Sequence, residues 1–123
     1  MLEIDRRYVL IALMLGSAGM LLGLYIGVAS DHRLLDVHVA LMLSGFVTLA
    51  IYGFAFRLWP SMKKAALARI QFLIATVGAL DLIVGSYLFA TSGSVPLAAI
   101  GSILSTVAAA MMAWLFWTAA GAE

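Results

Sequence analysis

Apolar residues run through this chain in long uninterrupted segments. The charges gather between them at residues 3–7, 31–36 and 57–69, leaving Asp81 and Glu123 isolated. No charged residue falls between Arg7 and Asp31, or between Asp81 and Glu123. The pattern predicts spans at 8–29, 37–58, 66–90 and 97–119, each near the roughly 20 residues that cross a hydrocarbon core about 30 Å thick. The breaks are SDHRLLD, then WPSMKK, where Pro60 cannot continue a helix, then TSGSVP, where Gly93 and Pro96 bracket a turn. Loops this short force consecutive spans to run in opposite directions. The expected fold is all-α, an integral membrane antiparallel four-helix bundle forming one domain over residues 1–123. The first span is too long for a signal-peptide core and its flank MLEIDRR mixes charges, so it is expected to be retained.

Composition agrees with this pattern. At 65% hydrophobic and 11% charged residues, the chain has too few polar side chains to cover a soluble surface. The lipid bilayer is therefore its first partner. A net charge of +1 argues against a nucleic-acid partner, and the lack of cysteine excludes disulfides, thiolate metal sites and a covalent c-type haem link. Arg6, Arg7, Arg57, Lys63, Lys64 and Arg69 fall on one side of the predicted membrane and only Arg33 on the other. The positive-inside rule then puts both termini in the cytoplasm, in a multi-pass protein of a prokaryotic cytoplasmic (inner) membrane. Trp59, Trp114 and Trp117 fit interfacial anchors.

Span one carries Gly19, Gly23 and Gly27 at intervals of four residues, and span four carries Gly101, Ser105, Ala109 and Ala113. Such stripes let helix backbones approach closely, within one bundle or between protomers.

His38 is the only histidine predicted at membrane depth. An ionisable group there is a functional-site hypothesis by default, and neutral imidazole is the commonest metal ligand. At 100° per residue, His38, Met42, Gly45, Leu49, Tyr52 and Phe56 fall within about 40° of one line. Gly45 leaves a gap where a flat porphyrin could lie against backbone. The competing reading is an ordinary packing stripe with the histidine satisfied by a carbonyl or a lipid headgroup. Asp36 is placed to cap this helix, whose dipole would keep His38 neutral.

The run DVHVALMLSGFVTLAIYGFAFRLWP resembles the H-x-H-x(n)-G-[WF]-V-x-L-x-x-[FY]-G motif of small four-span proteins related to subunit I of the haem-copper oxidases and nitric oxide reductases. ARIQFLIATVG is similar to the R-x-H-F-W-x-x-x-x-G stretch of the penultimate helix of that subunit, with Gln71 in place of the usual histidine. The last span is similar in texture to its final helix. The resemblance implies a b-type haem at the outer side of the membrane, with His38 ligating the iron and Met42, Gly45 and Arg33 contributing to the cofactor site. His32 is the candidate second ligand. Electron transfer or sensing would be its use, with a redox partner. The first histidine of the motif is replaced by Asp36, and no copper-binding histidine cluster exists, so no copper is expected and oxygen or nitric oxide reduction by this chain alone is not. The arginine pair that usually meets haem propionates is also missing, leaving Arg33. The alternative is a haem-free membrane subunit or assembly factor of a respiratory complex.

Two expectations concern assembly. Asp81 lies about 18 Å along its helix from Arg69, near the bilayer centre. It would act as a proton-bearing or hydrogen-bonding site, or be satisfied by Thr76, Ser105, Thr106 or a backbone carbonyl. Six-coordinate haem needs two axial ligands while each chain offers one histidine at depth. A homo-oligomer is therefore expected, with a trimer favoured over a dimer because subunit I arranges its helices as three arcs of four.

Overall fold

The computed structural model describes residues 3–119, and these form helices with no strand among them. Four helices are long and apolar enough to cross a membrane: span one, Ile4–Ala29; span two, His32–Leu58; span three, Ala66–Ser92; and span four, Pro96–Thr118. Spans one to three extend beyond the hydrophobic stretch that announces them, and span four matches its stretch to within one residue at each end. Span one begins at Ile4, and span two already turns at His32. The reason is physical: hydropathy marks the residues that need hydrocarbon, whereas backbone hydrogen bonding carries the helix on into water, as Arg7 N–H donating to the Glu3 carbonyl at 3.0 Å illustrates.

The ends are set by local chemistry. Span one stops at Ser30, in the left-handed region at φ 52°, and span three stops at Gly93, φ 72°, whose N–H closes onto the Phe89 carbonyl at 3.0 Å. Pro60 opens a short 3-10 turn, Pro60–Lys64, and Pro96 occupies the first turn of span four. The cap of span two is not Asp36. Asp31 takes that role, its carboxylate accepting from the Arg33 N–H at 3.2 Å, while Asp36 sits inside the first α-turn.

Span two is not uniform. Between Ala40 and Val47 it widens into π-helix, and both the N–H and the Oγ1 of Thr48 donate to the carbonyl of Leu43, the latter at 2.7 Å. An α-helical period cannot foresee this. The wider turn lets Leu41, Met42, Gly45 and Phe46 all meet span one.

Spans pack in chain order: one on two, two on three, and three on four. Residues rising along span one meet residues falling along span two: Gly16 faces Phe46, Gly19 faces Met42, and Gly23 faces His38. Gly16 extends the stripe read from the sequence, whereas a side chain at Gly27 would meet nothing within 4 Å. Spans three and four make the closest approach. A Cβ at Gly101 would lie 2.5 Å from the Leu82 nitrogen, and one at Gly85 would enter the Ala98 backbone. Glycine is required at both positions because backbone, not side chain, fills the opposite surface.

The best-buried side chains cluster toward one end. Tyr8 stacks on Phe56 at 6.0 Å between ring centroids and meets Phe72 and Tyr52 edge-on at 4.9 and 5.7 Å. Met62 and Leu115 close the cluster.

Candidate functional site

The π-turn begins at Ala40, two residues after His38. The half-buried imidazole lies over the bare backbone of Gly23, where a Cβ would come within 2.7 Å of its Cε1. Its Nδ1–H donates to the Gly19 carbonyl at 2.8 Å. That bond assigns the proton to Nδ1 and leaves Nε2 as the nitrogen free to accept or ligate.

The remaining residues expected around a haem are held in other contacts. The Met42 sulfur fills the gap above Gly19, 2.7 Å from where a Cβ would be. The space beside Gly45 is taken by Leu15, whose Cδ1 lies 3.0 Å from the Cβ position. Arg33 grips Asp31 twice, Nε to Oδ1 at 3.0 Å and Nη2 to Oδ2 at 2.9 Å, and this holds the Asp31 carboxyl down to about 2. His32 is exposed in the first turn of span two, with Nδ1 3.2 Å from the Ser30 carbonyl. It stands on the same helix as His38, about 9 Å below it along the axis.

His38, Met42 and Gly45 thus share the contact surface with span one. No group of three or more histidine, cysteine or acidic side chains able to hold a metal ion occurs among the described residues. His38 and His32 each keep an Nε2 that makes no hydrogen bond among the described residues.

Asp81 is half-exposed on span three. Among the described residues its carboxylate has no ion pair and no hydrogen bond. None of the groups expected to satisfy it does so: the Thr76 Oγ1 is itself buried without a partner, and Thr106 Oγ1 donates to the Ser102 carbonyl at 2.8 Å. Ser105 instead packs against Gly78.

Two polar arrangements escaped the sequence reading. Asp5 is only 2% exposed and lies 3.3 Å from both Arg57 and Lys63, while Lys63 also bonds Glu3 at 2.6 Å. Burial works to lower the Lys63 pKa, but the bonds to Glu3 and Asp5 prevail and raise it above the usual lysine value. Tyr8 donates its hydroxyl to Oε1 of the fully buried Gln71, whose Nε2 donates to the Ala108 carbonyl at 3.2 Å. The available signal was Gln71 itself, the one amide on the apolar period Ala68, Ala75, Gly78.

Between spans two and four runs a groove. One section, about 320 Å³, is lined by Ser44, Thr48, Tyr52, Ala75, Ser105 and Ala109, and the next, about 380 Å³, by residues including Tyr52, Trp59, Ala109 and Phe116. Neither section contains a histidine.

Four such helices, with Val28 80% and Trp117 81% exposed, have the character of a multi-pass membrane protein in contact with lipid. Comparison with family models, curated proteins and solved structures finds no match to the chain.

Proposed function

We propose that the chain is a haem-free membrane subunit of a larger assembly, of the respiratory type that its resemblance to haem-copper oxidase subunit I implies. The observation that carries this reading is Asp81. A carboxyl midway along a lipid-facing helix is costly even when protonated, and it has no partner among the described residues of its own chain. A neighbouring helix supplies the partner. The antiparallel bundle has both termini in the cytoplasm of a prokaryote, because the unbalanced Arg and Lys residues gather at that end. The neighbour is another copy in a closed ring, with threefold symmetry favoured by the resemblance to a three-arc subunit.

The chain lacks cysteine, so single cysteines report cleanly on neighbours. Leu80→Cys and Val84→Cys, flanking Asp81, are expected to cross-link between copies in native membranes. Leu21→Cys, 69% exposed on span one, is the comparison. Absence of cross-links at positions 80 and 84, with a monomer by native mass spectrometry, overturns the reading.

One observation favours a second reading, a b-type haem shared between copies for electron transfer or sensing. The Nδ1–H bond from His38 to the Gly19 carbonyl is the kind of second contact that orients a ligating imidazole and leaves Nε2 for the metal. Haem-supplemented protein would then show a Soret band in the oligomer that His38→Ala abolishes. Colourless oligomer excludes it.

A further inference from the structure

At the end of the fold that holds most of the basic residues, a cavity of about 370 Å³ opens between the start of span one and the start of span three. It is lined by Ile4, Lys63, Lys64, Ala65, Ala66 and Arg69. Its charges are unevenly satisfied. Lys63 is neutralised by Glu3 and Asp5, whereas Lys64 and Arg69 have no acid and no hydrogen bond among the described residues. Both are exposed, and they flank a floor of Ile4, Ala65 and Ala66.

The position along the membrane axis identifies the occupant. Ala66 is the first residue of span three, so Lys64 and Arg69 bracket the level at which the apolar helix begins. Directly past Arg69, Ile70 and Leu73 are 50% and 56% exposed, an apolar track leading from the cavity toward the bilayer interior. A ligand with an anionic head and hydrocarbon tails matches both features. Lysine and arginine both suit phosphate, arginine through a two-pronged contact. The opposite end of the fold offers no equivalent, since Arg33 is committed to Asp31.

We propose that this cavity holds the phosphate of an anionic phospholipid between Lys64 and Arg69, with its acyl chains along Ile70 and Leu73. The site is remote from Asp81 and does not depend on the subunit reading. The shared chemistry is a phosphate; the apolar track commits the site to lipid over free phosphate.

The test uses the full chain in an uncharged detergent, with thermal unfolding followed as phosphatidylglycerol, phosphatidylcholine or inorganic phosphate is added. Phosphatidylglycerol is expected to raise the melting temperature, and the other two are not. The Lys64→Gln/Arg69→Gln double variant should melt as wild type without lipid and bind phosphatidylglycerol about thirtyfold more weakly, from the usual contribution of two interfacial cations. Should that variant fail to fold, Lys64→Gln alone is read, with about a fivefold loss expected. Arg7→Gln, the same single charge change as Lys64→Gln at the same end but outside the cavity, should keep the response. An equal response to phosphatidylcholine overturns the proposal, as does an equal response to inorganic phosphate. An undiminished response in the Lys64 and Arg69 variants, or an equal loss in Arg7→Gln, overturns it too.

Discussion

The Nδ1–H of His38 donates to the backbone carbonyl of Gly19 across 2.8 Å, and the ring packs against Gly23 one helical turn further along. This bond ties the N-terminal part of span two to span one, two residues before span two leaves α-helical geometry. The histidine is thus a structural tie in each chain, whatever its Nε2 meets outside.

Glycine substitutions should rank by what each new Cβ would strike. Gly23→Ala displaces the imidazole, at a cost of about 1–3 kcal/mol. Gly101→Ala must push the backbones of spans three and four away from each other and should reach the top of that range or beyond. Gly27→Ala meets open space and should stabilise span one by about 0.5–1 kcal/mol through helix propensity. Unfolding in mixed micelles gives the three values; a loss at Gly27 as large as at Gly101 would contradict the packing described.

The buried pair of Tyr8 and Gln71 makes a cycle possible. Tyr8→Phe leaves Gln71 Oε1 without its donor in a fully buried site, which costs about 1–3 kcal/mol. Replacing both, Tyr8→Phe with Gln71→Leu, should cost less than the two single changes summed, because no orphan acceptor remains on the Gln71 side chain. Additive costs would mean that the two groups are not coupled.

How much of this was legible beforehand differs by feature. Spans were readable because charges are missing from 8–30 and from 82–122, and a long apolar run has few alternatives. The role of Gly45 was not, because its gap is filled by Leu15, a residue of another helix that no spacing within span two reveals. The π-turn breaks the 100° period on which the face of His38, Met42 and Gly45 was drawn. Tyr8 and Gln71 lie in different spans, and only tertiary packing joins them. Asp5 was visible only as one charge of the mixed flank MLEIDRR; two cations from the far end of span two and the turn after it, Arg57 and Lys63, allow it to be buried.

The same cluster predicts an alkaline transition. Lys63 has its pKa raised above the ordinary 10.5 by Glu3 and Asp5. A raised folded-state value means that its stabilisation is complete below 10.5 and fades as pH rises through the higher folded value. Wild type should therefore lose more stability than Lys63→Met on titration above that pH. At neutral pH Lys63→Met should be less stable by about 1–3 kcal/mol, because Asp5 keeps only Arg57. Parallel pH profiles for the two proteins would show that the contact is not formed.

Asp81 separates folding from assembly. Its carboxylate makes no bond among the described residues, so Asp81→Leu should leave the isolated monomer as stable as wild type, or more so, by removing a polar group from hydrocarbon. The same substitution removes the bond proposed with a neighbouring helix. Interhelical hydrogen bonds in membranes contribute roughly 0.6–1.7 kcal/mol, so each contact should dissociate about threefold to twentyfold more readily. Asp81→Asn keeps hydrogen-bonding atoms of similar shape and should retain most of the assembly. Native mass spectrometry and analytical ultracentrifugation in detergent report the oligomer, and thermal unfolding reports the monomer. A monomer destabilised by Asp81→Leu, or an oligomer indifferent to it, would mean that Asp81 serves its own chain and that no partner completes it.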